Sequence, residues 1–80
     1  MTKKELLTYG AAILSTLRET GGAPASMIYI ALGMDMQKWE LLRDILRGCG
    51  WITVSDSYYV TLTAAGEAKA VEVDSVRKPA

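Results

Sequence analysis

The side chains of this chain best suited to holding a ligand are Arg43 and Arg47, the neighbouring Gln37 and Lys38, and the aromatics Trp39, Trp51 and Tyr59. Arg43 and Arg47 can grip a phosphate or a guanine edge. On the plainer reading they belong to a solvated helix face, where Glu40 with Arg43 and Asp44 with Arg47 neutralise each other at i,i+3 spacing. Trp39 and Trp51 can act as stacking platforms for a nucleic-acid strand. Their places, on the core side of a helix and just after its terminating glycine, suit packing better. Tyr59 is the stronger candidate for an exposed aromatic, because strand alternation turns it away from Tyr58 and Val60.

Other chemistries are closed off by composition. Histidine is absent and cysteine occurs once. A histidine-dependent nucleophile or general base is therefore excluded, as are an internal disulfide and a cysteine zinc cluster. No acidic cluster offers an all-carboxylate metal site. With no nucleophile beside a base and no phosphate loop, the chain reads as a non-enzyme without cofactor or metal. Cys49 lies on the Leu42–Leu46 stripe, with no helix N-terminus to lower its pKa, and is expected to be buried and inert.

A length of 80 residues allows one domain. A domain of this size buries only about 60–65% of its unfolded surface, so its core must be efficient. Nine basic residues balance nine acidic ones. A dedicated nucleic-acid binder is more often clearly basic, so the overall field favours weak or locally patterned binding. No run approaches the ~18 apolar residues of a membrane span. MTKKELLTYG reads as the start of a helix and not as a signal peptide. With a free thiol and no export signal, the expected location is cytoplasmic.

The elements that must position these residues follow from periodicity. Thr2-Lys3-Lys4-Glu5 fits a capping box. Leu6, Gly10, Ile13, Leu14 and Leu17 form the buried stripe of a first helix, stopped by Gly21-Gly22. Ala23-Pro24-Ala25 is extended or opens a second, short helix. That helix carries Met27, Ile28, Ile30, Ala31 and Leu32 and ends at Gly33. Asp35 is the expected N-cap of a third helix, with Trp39, Leu42, Ile45, Leu46 and Cys49 inward and Gln37, Glu40, Asp44 and Arg47 outward. Residues 51–54 and 58–62 have strand composition around a Ser55-Asp56-Ser57 turn, in which Asp56 supports the turn through its side chain. Alternation puts Ile52, Val54, Tyr58, Val60 and Leu62 on the covered face. Thr63 caps a last helix running to about Val71. The apolar trail of Ala68, Ala70, Val71, Val73 and Val76 either completes the core against the first helix or forms a homodimer seam.

Helix, short helix, glycine turn, helix, hairpin, helix: this order resembles the winged helix-turn-helix superfamily of small bacterial and archaeal regulators. The likeness is carried by IYIALG at 28–33, LLRDIL at 41–46, Gly50-Trp51-Ile52 and Leu62-Thr63-Ala64-Ala65-Gly66. It covers about residues 3–72. It implies an α+β fold with three helices, a two-stranded β-hairpin wing and a short C-terminal helix. The domain is expected over residues 1–72, with a flexible tail at 73–80.

The resemblance also implies roles. The third helix, 36–48, would enter the major groove of double-stranded DNA in the manner of a small transcriptional regulator. Gln37 would pair with adenine and Arg43 and Arg47 with guanine, with Lys38 near the helix start. Ser57 and Tyr59 would represent the wing, which departs from the family in carrying no basic residue between Arg47 and Lys69. Lys3, Lys4, Arg18, Arg77 and Lys78 would form a backbone-contacting fringe or be ordinary surface charges. The rival expectation is a protein–protein interaction winged helix without DNA binding. Its partner would be a second copy or another protein, met through the methionines of the turn, the exposed tyrosine or the C-terminal seam.

Overall fold

The structure, a computed structural model, describes residues 2–77 and the side chains of residues 2–75. Helix α1 spans Lys3–Thr20. Its first turn is closed as the capping box requires, the Glu5 backbone N–H donating to Thr2 Oγ1 at 3.1 Å. At the other end Gly21 adopts a left-handed φ of 76° and returns its N–H to the Leu17 carbonyl. Only a residue without a Cβ does this at little cost.

The chain then runs extended through Ala23–Pro24 (β1) before helix α2, Ala25–Ala31, begins. Helix α3 follows at Met36–Gly48, its N-cap Asp35 accepting the Lys38 N–H at 2.8 Å. Strands β2 (Ile52–Val54) and β3 (Tyr59–Leu62) form the hairpin, and helix α4 occupies Ala64–Arg77. Among the described residues the result is an α+β arrangement of four helices and one three-stranded antiparallel sheet of order β1-β3-β2.

The sheet corrects the expected two-stranded ribbon. Ala23 pairs with Val60 and Pro24 with Tyr59, so the segment after the glycine stop becomes a third strand. Two local features allow this. Ala23 is small enough to be buried beside the fully buried Val60. Pro24 sits on an edge strand, where a missing N–H costs no ladder bond.

The core is one cluster: Ile13, Leu14 and Leu17 of α1, Ala25 and Ile28 of α2, Met34 of the following turn, Trp39, Leu42 and Leu46 of α3, Ala23, Ile52 and Val60 of the sheet, and Ala70 of α4. The opposite face of the sheet is polar, Thr53 and Thr61 sharing a cross-strand hydroxyl bond of 2.7 Å. Helix α4 runs past its expected end near Val71 to Arg77, with Ala70 fully buried and Val73 half-buried. One turn further on, Asp74 accepts from Arg18 Nη1 at 2.8 Å. Residues 78–80 of the expected tail, Lys78 among them, lie outside the described residues, as does the Arg77 side chain. Among the described residues no helix is long and apolar enough to cross a membrane.

The expectations for Cys49 and Tyr58 fail. Cys49 is exposed, not buried. It is the C-cap of α3, beyond Leu46, the last buried residue of that helix, so the apolar stripe ends before reaching it. Tyr58 is 69% exposed and not on the covered face. Its φ of 62° takes it out of the strand, which starts one residue later, and so out of the alternation.

Candidate functional site

Helix α3 turns Gln37, Glu40, Asp44 and Arg47 to solvent while Trp39, Leu42 and Leu46 are buried, as the 3.6-residue period demands. Gln37 lies in the first turn, and its side chain makes no hydrogen bond among the described residues. Arg47 lies in the last turn, where a cation suits the negative end of the helix dipole.

The charges between them are arranged differently from the expected i,i+3 pairs. Arg43 turns to its neighbour, its Nε donating to Asp44 Oδ1 at 3.1 Å and its Nη2 lying 3.1 Å from the same oxygen. Glu40 and Arg47 are left without ion pairs among the described residues. Lys38 is tied to another element: its Nζ donates to Glu5 Oε2 of α1 at 3.0 Å and lies 5.9 Å from the centroid of the Tyr9 ring. The hydrogen bond from Lys38, with a second contribution from the Thr2 backbone amide, holds the Glu5 carboxyl below its ordinary value. The same bond raises the Lys38 ammonium above its own.

The hairpin loop stands beside this helix face. Ser55 closes it, donating its N–H to the Tyr59 carbonyl at 2.9 Å and accepting the Tyr58 N–H at 2.9 Å. The side-chain support expected from Asp56 comes instead from serines. Ser55 Oγ accepts the Tyr59 N–H at 3.1 Å and pairs with Ser57 Oγ at 3.0 Å. Tyr59 stands on the outward face of β3, where its ring covers Gly22; a Cβ there would come within 2.8 Å of that ring.

Between α3, the start of α2 and the hairpin loop lies a cleft of about 460 Å³. Trp39 and Tyr29 lie along it, their ring centroids 6.4 Å apart, and Met36, Glu40, Arg43, Ser26, Ser57 and Tyr58 supply further wall. Of the residues expected at a site, Arg43 and Ser57 meet here. Gln37 and Arg47 remain on the open face of α3, Lys38 turns toward α1, and Tyr59 faces away from the cleft lining. Sequence reasoning missed Tyr58 and Ser26. Ser26 carries no signal in the sequence, and the alternation that points Tyr58 inward is broken by its left-handed φ.

A second, almost wholly apolar groove of about 300 Å³ runs between α1, α3 and α4, with Leu6, Leu7, Ile45, Trp51 and Val73 among its walls. Cys49 is at its edge, and Lys69 Nζ lies 5.4 Å from the centroid of the Trp51 ring.

No family model, curated protein or solved structure matches this chain. The functional reading therefore rests on these residues alone.

Proposed function

We propose that this protein is a non-enzymatic, cytoplasmic double-stranded DNA-binding module of the winged helix-turn-helix kind, with α3 in the major groove. The observation that carries the reading is the shared cleft: Ser57 and Tyr58 of the hairpin loop and Glu40 and Arg43 of α3 line one depression. A helix and a β-ribbon loop thereby present to one side, as a major groove and the adjoining backbone require. A helix with its side chains is about 10–12 Å across, the width of the B-DNA major groove.

Gln37 and Arg47 supply the readers, since neither side chain is committed among the described residues. Arg43 is half-committed to Asp44, and Lys38 is held by Glu5. Glu40 and Asp44 on the same face oppose phosphate, so one copy binds weakly and a pair of copies is needed for useful affinity. The test is anisotropy of a mixed-sequence duplex over a salt series. Binding at ~50 mM salt that weakens steeply toward 200 mM supports the reading; absence of binding at the low end refutes it.

The alternative is a protein-interaction domain. The apolar groove between α1, α3 and α4 favours it, together with Leu7 at its edge, 64% exposed. Light scattering after size exclusion would then give a stable oligomer, and Arg47→Glu would change nothing.

A further inference from the structure

We propose that the cleft between α3 and the hairpin loop receives one unpaired nucleobase of DNA, stacked on Tyr58 and held at its edge by Glu40 and Arg43. This rests on the DNA reading above and narrows it to DNA that carries an unpaired base.

The first observation is Tyr58 itself. A three-residue hairpin loop commonly ends in a left-handed residue, a position that favours glycine or asparagine. Here it is a tyrosine at φ 62°, a genuine outlier for a bulky side chain. Three backbone N–H groups hold it there. Its own donates to the Ser55 carbonyl at 2.9 Å, that of Ala25 donates to the Tyr58 carbonyl at 2.8 Å, and that of Tyr59 donates to Ser55 Oγ at 3.1 Å. Core packing does not repay the strain, because Tyr58 is 69% exposed. What the conformation achieves is a ring at the cleft. Strain fixed by its surroundings and spent on placing an exposed side chain is the pattern of a contact residue.

The second observation is the chemistry of the walls. Glu40 has no partner among the described residues, and Arg43 has committed Nε and Nη2 to Asp44, leaving Nη1 to donate. One carboxylate and one guanidinium, with a second carboxylate behind, would repel a ligand that offered only phosphate. They suit a neutral planar heterocycle with both donors and acceptors on its edge. Guanine matches best: its N1–H and N2–H₂ donate to a carboxylate, while O6 and N7 accept from a guanidinium. Tyr29, Trp39 and Met36 give the remaining wall an aromatic and thioether surface. Stacking on an aromatic with hydrogen bonds along the edge is how unpaired bases are held.

The experiment is fluorescence anisotropy at one low salt concentration with three probes. These are a blunt duplex, the same duplex ending in an unpaired guanine, and that duplex ending in an unpaired thymine. We expect the guanine-ended duplex to bind at least about five-fold tighter than the blunt one, the lower end of what base stacking contributes. Thymine should fall between them, and Glu40→Gln should remove the guanine preference. Tyr58→Gly should make the ended and blunt probes equal. That substitution relieves the positive φ, so a parallel denaturation curve no weaker than wild type excludes misfolding as the cause. Equal binding of blunt and ended duplexes by the wild type, or a preference that survives Tyr58→Gly, overturns the inference and leaves duplex recognition standing. Displacement of the guanine-ended probe by equimolar free guanosine monophosphate overturns it in favour of a free nucleotide. Failure to bind any of the three probes overturns both readings.

Discussion

The Trp51 carbonyl oxygen lies against Gly66 so closely that a Cβ on Gly66 would run into it. The same oxygen accepts the Thr63 N–H at 3.0 Å. The end of α3, the start of β2 and the first turn of α4 are thus locked at one point. The obstacle is backbone and cannot swing aside as a flexible side chain would. Gly66→Ala should therefore destabilise the fold by about 3 kcal/mol, the upper part of the range for overpacking, despite alanine's better helix propensity. A urea midpoint close to that of wild type would contradict this.

Thr63 reinforces the lock from the other side. Its Oγ1 donates to the Gly50 carbonyl at 2.6 Å and accepts the Gly66 N–H at 3.0 Å, so one hydroxyl is both N-cap and inter-element tie. Thr63→Ala should cost about 1–2 kcal/mol in thermal or chemical denaturation, the range measured for lost caps. Thr63→Ser, which keeps both hydrogen bonds, should recover most of it.

What the sequence allowed one to read differs by element, for physical reasons. Helices α1 and α3 were legible because their apolar residues recur at threes and fours and their caps, Thr2 and Asp35, are strong local signals. Gly66 could be matched to a pattern, but its reason, a carbonyl from a segment 15 positions earlier, is tertiary. Strand β1 is two residues long and exists only because β3 lies beside it, so Ala23-Pro24 had no periodicity to show. The site was half-legible. The outward face of α3 follows from helical geometry. The engagement of Lys38 by Glu5, 33 positions away, and the turning of Tyr58 depend on long-range placement and one dihedral.

Cys49 should alkylate readily in the native protein. It is exposed at the C-cap of α3, so iodoacetamide should label it at a rate close to that in denaturant. Mass spectrometry of the quenched reaction would check this, and protection until unfolding would mean that the α3 terminus packs more tightly than the structure has it.

The Glu5–Lys38 pair should leave a pH signature at both ends of the scale. Glu5 lies below its ordinary 4.5 in the folded protein, so its contribution is present above that value and is lost as pH falls through the folded one. Lys38 lies above its ordinary 10.5, so its contribution is present below that value and is lost as pH rises through the folded one. Both side chains remain well exposed, and the effect should be small and screened by salt. Glu5→Gln should lower the denaturation midpoint at pH 7 in low salt, with the gap closing at pH 3 and in 1 M NaCl. A gap that ignores both would show that the pair is not its source.

The same pair makes the arginines and Lys38 unequal in DNA binding. Arg47 is exposed and uncommitted among the described residues, whereas Lys38 must give up Glu5 before it can meet a phosphate. Any charge it brings is offset by the carboxylate released beside it. Arg47→Gln should therefore weaken duplex binding and reduce the slope of log K against log salt by about 0.9, the value of one phosphate contact. If it reads guanine instead, the loss should be confined to sites carrying that base. Lys38→Gln should change neither affinity nor slope by comparable amounts, and Glu5→Gln, which frees Lys38, should strengthen binding. Equal losses for Arg47→Gln and Lys38→Gln would mean that the ion pair opens on binding. An unchanged slope together with unchanged affinity on every duplex for all the variants would mean that this face of α3 does not meet DNA.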